Sequence, residues 1–141
     1  LKAQDQRASN NHYVIAGDTN MAVGADVMAY MRSTVVIHVG QSVSFVNKAM
    51  EPHTITFGDE IGDPTNPWCA NDCSASTLPS QGPIFGGNYS ATLSGTDTAF
   101  NSGWVFTGVQ VTVTFTHPGV YEYHCALHDY MGMVGKVIVE P

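Results

Sequence analysis

The chain has 141 residues, of which 12 are acidic and five are lysine or arginine, for a net charge of −7. That length suits one domain with a sizeable core, and the acidic balance excludes nucleic acid and anionic membrane surfaces as natural partners, favouring a cationic or locally basic one. No apolar run approaches the roughly 18 residues that cross a bilayer as a helix, while 12 % charged residues and 14 glycines point to many short strands joined by tight turns.

Residues 1–11 are polar and aperiodic and predict a disordered arm or tether, ahead of a single domain over 12–141. His12–Ala16 predicts a first strand. Residues 17–31 have mixed character, and Met21, Met28 and Met31 among them read as packing side chains rather than ligands. Thr34–Val39 and Ser42–Asn47 predict two strands around a Gly40-Gln41 turn, with Val43, Phe45 and Asn47 sharing one face. Pro52–Phe57 predicts a third strand, beginning at a proline where no amide donor is needed.

Residues 58–97 show no clear period and carry Pro64, Pro67, Pro79 and Pro83 with Cys69 and Cys73. Long structureless loops are uncommon in compact domains, so part of this one is expected to be pinned. A Cys69–Cys73 disulfide is the predicted pin, worth about 2 kcal/mol for so small a ring. It leaves Cys125 for chemistry and suits an oxidising, extracytoplasmic compartment. The opening Leu-Lys-Ala-Gln-Asp-Gln-Arg has no hydrophobic leader segment, as expected of a mature exported protein or of one lacking a membrane anchor. Asn88-Tyr89-Ser90 is a formal glycosylation triplet of a kind that arises often by chance.

Regularity returns at Thr98–Phe106. Val109–Phe115 alternates strongly, His117-Pro118-Gly119 turns the chain, and Val120–Cys125 and Val134–Val139 complete the set. Short alternating strands with turn signals between them predict an all-β fold, an antiparallel Greek-key β-sandwich with a long irregular insertion over 58–97.

The chemistry is concentrated near the end of the sequence. Cys125, His128 and Met133 bring a thiolate, an imidazole and a thioether into nine positions between two predicted strands. Alternation places Tyr121 and Tyr123 on the face of Cys125, and Glu122 and His124 on the opposite one. Gly132 and Gly135 flank Met133 and are expected to permit the bends. With His53 supplying a second imidazole, the donors form a trigonal His-Cys-His set with a weak axial methionine. That is the set of a mononuclear copper electron-transfer site, one copper per chain cycling between Cu(I) and Cu(II). Met131 competes for the axial place, but Met133 has a strand behind it. Cys69-Ala-Asn-Asp-Cys73 has the gap of a dinuclear copper site, yet Thr77 stands where that site needs a histidine.

These segments resemble the plastocyanin and azurin family of blue copper proteins, the cupredoxins. The loop Cys125-Ala-Leu-His128-Asp-Tyr-Met-Gly-Met133 has the plastocyanin spacing, histidine three on and methionine eight on. Asn47-Lys-Ala-Met-Glu-Pro-His53-Thr-Ile-Thr-Phe57 carries the same Asn, Pro, His and Phe offsets as the family's upstream segment. The resemblance covers 34–57 and 109–141, fails over 58–97, and is loose over the first 30 residues. It implies a type 1 copper held by His53, Cys125, His128 and Met133, supported by Asn47, Thr54 and Leu127.

Leu127 departs from the family, which usually has proline there. Its restored N–H is expected to donate to the Cys125 sulfur and raise the reduction potential. His124 departs too: a Tyr-His-Cys triplet also occurs in copper nitrite reductases, and a histidine beside the cysteine passes electrons to a catalytic copper there and in multicopper oxidases. The chain has no His-x-His pair to build such a cluster, so His124 is expected as an exposed residue on the far face, with electron entry as its secondary reading. Asp59, Glu60, Asp63 and Asp72 read either as a solvated loop or as a docking surface for a basic redox partner, such as a cytochrome or an oxidase. The leading expectation is an electron carrier without substrate chemistry. The alternatives are a copper domain assembling with a nitrite reductase or multicopper oxidase, and a copper storage or delivery protein, a class that favours exposed Met and His clusters.

Overall fold

The computed structural model describes residues 11–20, 22, 24–57, 88–96, 100–125 and 132–141. Within them, runs of alternating β-branched and aromatic residues form ten strands: β1 (Asn11–Asn20), β2 (Ala25–Met31), β3 (Thr34–His38), β4 (Ser42–Lys48), β5 (Thr56–Phe57), β6 (Tyr89–Leu93), β7 (Phe100–Asn101), β8 (Gln110–Phe115), β9 (Gly119–His124) and β10 (Val134–Glu140). They make two five-stranded sheets, ordered β2-β1-β4-β8-β6 and β3-β10-β9-β5-β7. Among the described residues there is no helix, and so none long and apolar enough to cross a membrane.

The inward faces follow the period-2 pattern. Val43, Phe45 and Asn47 of β4, Val111, Val113 and Phe115 of β8, Tyr121 and Tyr123 of β9, and Val137 and Val139 of β10 are all buried. Aromatic rings fill the middle of the core. Tyr123 stacks edge-on against Tyr30 (centroids 4.7 Å apart) and Phe45 (5.1 Å), and Phe57 lies 5.8 Å from Phe115, the spacing at which ring pairs add to simple burial. At one end Tyr121 Oη donates to the His117 carbonyl (2.8 Å). That bond braces the 117–119 turn, and Gly119 there has φ +149°.

The all-β sandwich expected from the alternation is what forms, and its sheets are mixed. β1–β4, β3–β10 and β6–β8 are parallel, and the remaining neighbours are antiparallel. Five local expectations need correction. The first strand runs from Asn11 to Asn20, so Asn11 belongs to β1 rather than to an arm, and β2 occupies 25–31, where the sequence shows no period. The 58–97 stretch is not irregular throughout, because Tyr89–Leu93 pairs with β8 as β6; residues 58–87 lie outside the described residues. The Pro52–Phe57 strand is cut down to Thr56–Phe57 after an isolated bridge, His53 with Val105. Of Thr98–Phe106, the described residues 100–106 form a strand only at Phe100–Asn101. In both cases the reason is Ser102, whose hydroxyl takes the Ile55 amide (2.8 Å) in place of a backbone carbonyl, followed by Gly103 at φ +70°.

Candidate metal centre

Three segments meet at one end of the sandwich. Asn47, the last inward residue of β4, uses its side chain three times. Its Nδ2 donates to the carbonyls of Glu51 (2.8 Å) and Val105 (2.7 Å), and its Oδ1 accepts from Ala49 N–H (2.7 Å). The tight 48–52 connection is thereby tied to the Val105 segment. His53 comes next, exchanging both backbone bonds with Val105 (3.2 and 2.8 Å). A histidine with its main chain so held presents its ring in one direction.

β9 delivers Cys125 immediately after its last residue, on the inward face, as alternation requires. Its N–H donates to the Met133 carbonyl (3.0 Å), and Val134 pairs with His124, closing the neck of the loop between β9 and β10. Gly132 makes the bend at φ +83°. Gly135 does not. It lies within β10, and a Cβ there would stand 2.5 Å from Cζ and Oη of Tyr123, so it is glycine to leave room for that ring.

His53 Nδ1 stands 3.7 Å from Cys125 Sγ, and His53, Cys125 and Met133 are all fully buried. The Thr54 N–H donates to Cys125 Sγ (3.4 Å), a bond that favours the thiolate over the thiol. Tyr30, which sequence reasoning passes over, holds Thr54 from the other side through a bond from its hydroxyl to the Thr54 carbonyl (2.5 Å). Only the three-dimensional placement of β2 beside the site reveals that role. Burial pushes the Tyr123 phenol above the ordinary tyrosine range, with the charge of Arg32 opposing.

The donor pair fits a soft first-row metal. Bonds of about 2.0 Å to imidazole and 2.3 Å to thiolate, the lengths for an ion such as zinc, span a 3.7 Å gap at an angle of about 120°, that of a trigonal set. Among the described residues no further His, Cys, Asp or Glu joins this pair. His128 and Leu127 lie outside the described residues, as do Asp59, Glu60, Asp63 and Asp72 and the pair Cys69 and Cys73. His124 is half-buried rather than exposed, on the face opposite Cys125, in register with Thr56 and Val134.

Residues 17–140 match the family described as copper binding proteins, plastocyanin/azurin family. The chain belongs to that family. Copper is therefore its cofactor, and the cupredoxin resemblance of the sequence is shown over nearly its whole length. The chain is 31 % identical over 127 residues to a chloroplastic plastocyanin of Tetradesmus obliquus, covering 89 % of this chain and 69 % of the relative. It is 29 % identical over 125 residues to the chloroplastic plastocyanin of Chlamydomonas reinhardtii, covering 87 % of this chain and 68 % of the relative. Its fold matches amicyanin from Paracoccus versutus (TM-score 0.55, 23 % identity, 98 % of this chain and 88 % of that one). It also matches a purple cupredoxin from Nitrosopumilus maritimus (TM-score 0.54, 22 % identity, 92 % and 99 %).

Proposed function

We propose that this cupredoxin is a one-electron carrier, with a type 1 copper held by His53, Cys125, His128 and Met133. The reading rests above all on the 3.7 Å approach of His53 Nδ1 to Cys125 Sγ in a fully buried pocket. Bound copper would supply the Cu(I)/Cu(II) couple. The chain's part is to hold the donors so that neither oxidation state can reshape them. The Val105 bridge and the Asn47 network fix His53, the β9–β10 neck fixes Cys125 and Met133, and the Thr54 amide withdraws charge from the sulfur. Burial of His53, Cys125 and Met133 keeps solvent from these three side chains.

Residues 11–141 form one domain, working in an extracytoplasmic compartment. The partner is a redox protein with a basic docking face, meeting the acidic residues Asp59, Glu60 and Asp63 or entering by His124. Titration with Cu(II) provides the test. One equivalent should produce an intense thiolate-to-copper band in the orange-red, and Cys125→Ser should lose it. No band on copper addition rejects the reading, and two or more coppers per chain favour an enzyme part.

A further inference from the structure

β1 comes closer to the metal centre than its sequence suggests. Its pairing with β4 loses register between Ile15 and Asp18, where Ala16 and Gly17 stand against Asn47 alone, and its pairing with β2 shifts between Ala16 and Asp18, so β1 bulges against β4 at Ala16–Gly17. Bulges bend a strand and re-aim the residues beyond them. Gly17 is buried, with φ +74°. A Cβ on it would stand 2.3 Å from His53 Nε2, 2.8 Å from His53 Cδ2 and 3.0 Å from the Ala49 Cβ. The bare backbone of Gly17 is thus the wall behind the imidazole, against its Nε2 edge, while the Nδ1 edge faces Cys125 Sγ. Two separate demands, a left-handed φ and the missing Cβ, select glycine here.

We infer that Gly17 is a positioning residue of the metal centre: the β1 bulge limits how far the His53 ring can retreat from Cys125. The ring is bounded on both edges and its main chain is bridged to Val105, so its distance from the sulfur is set by the sheet. What this does to copper rests on the proposed function; the steric coupling between positions 17 and 53 does not.

A double-mutant cycle on the metal-free full chain tests the coupling. Gly24 makes the control, because it has φ +62° but a Cβ added there would meet nothing within 4 Å, so Gly24→Ala carries backbone strain alone. Gly17→Ala should lower the unfolding midpoint further than Gly24→Ala, by the equivalent of about a tenfold change in the folding equilibrium, the size of coupling expected for residues in contact. That excess should vanish in a His53→Ala background. If Gly17→Ala does not fold, folding of the Gly17→Ala/His53→Ala chain is the supporting result. An excess that persists without the imidazole, no excess at all, or a double variant that also fails to fold overturns the inference. In the copper-loaded protein, Gly17→Ala should displace the charge-transfer band and the reduction potential, whereas Gly24→Ala should leave both in place. A wild-type chain that takes up no copper defeats the proposed function yet leaves the cycle readable.

Discussion

Two tyrosines with rings 4.7 Å apart, one from β2 and one from β9, differ in what their hydroxyls do. The Tyr30 hydroxyl holds the buried Thr54 carbonyl, whereas the Tyr123 hydroxyl has no hydrogen-bond partner among the described residues. Tyr30→Phe should therefore cost about 1 kcal/mol of stability, the net worth of one buried hydrogen bond, and should also loosen the Thr54 amide from the cysteine sulfur. Tyr123→Phe removes a buried hydroxyl that has no such partner, and should be neutral or stabilising by about 1 kcal/mol. Chemical denaturation of the two variants side by side checks the contrast. Asn47→Ala is the severest of these changes. Three backbone groups each lose a hydrogen bond together, the Val105 carbonyl keeping the one from the His53 N–H, and a loss of about 3 kcal/mol is expected in the same measurement.

At the level of strands, the readable ones are those with one apolar face. β4, β8, β9 and β10 alternate cleanly, and each is legible in the sequence within a residue or two. β2 and β6 are not. Exposed Asp26 and Val27 in β2 blur the period, and β6 sits beyond a stretch rich in proline. The parallel pairings are illegible because strand order depends on contacts between distant segments, which no local pattern encodes. The spacing of the proposed ligands Cys125, His128 and Met133 is legible for the opposite reason, since one short stretch of sequence carries it. Gly135 shows how the same letter can mislead: its position beside Met133 suggests a bend, and it serves as a recess for Tyr123. Gly135→Ala should cost about 1–3 kcal/mol through overpacking. Far less should be lost when Tyr123 is also reduced to leucine, as thermal unfolding of the single and double variants would show.

Across the whole molecule, acid sensitivity has a source far from the metal centre. His12, at the start of β1, is buried. That burial, then the charge of Arg32, hold its pKa below 6.5, with the Gln41 side chain opposing. The unfolded chain therefore takes up this proton more readily than the folded one. The contribution to stability is complete above the unfolded value and is lost progressively as pH falls below about 6.5 toward the folded value. His12→Gln should flatten the decline in melting temperature between pH 7 and pH 5 relative to wild type, whatever the carboxylates add to both.

Lys136 lies beside Thr34, and the proposed ligands His53 and Cys125 are 72 positions apart. A polypeptide emerging from the ribosome thus owns no pocket until β10 has slid between β3 and β9. Such distant closure is slow by the standards of small proteins, on the order of milliseconds to seconds. Metal delivery must then wait for a finished fold, and a nascent chain arrested before Val134 would offer only loose sulfur and imidazole to whatever ion drifts past.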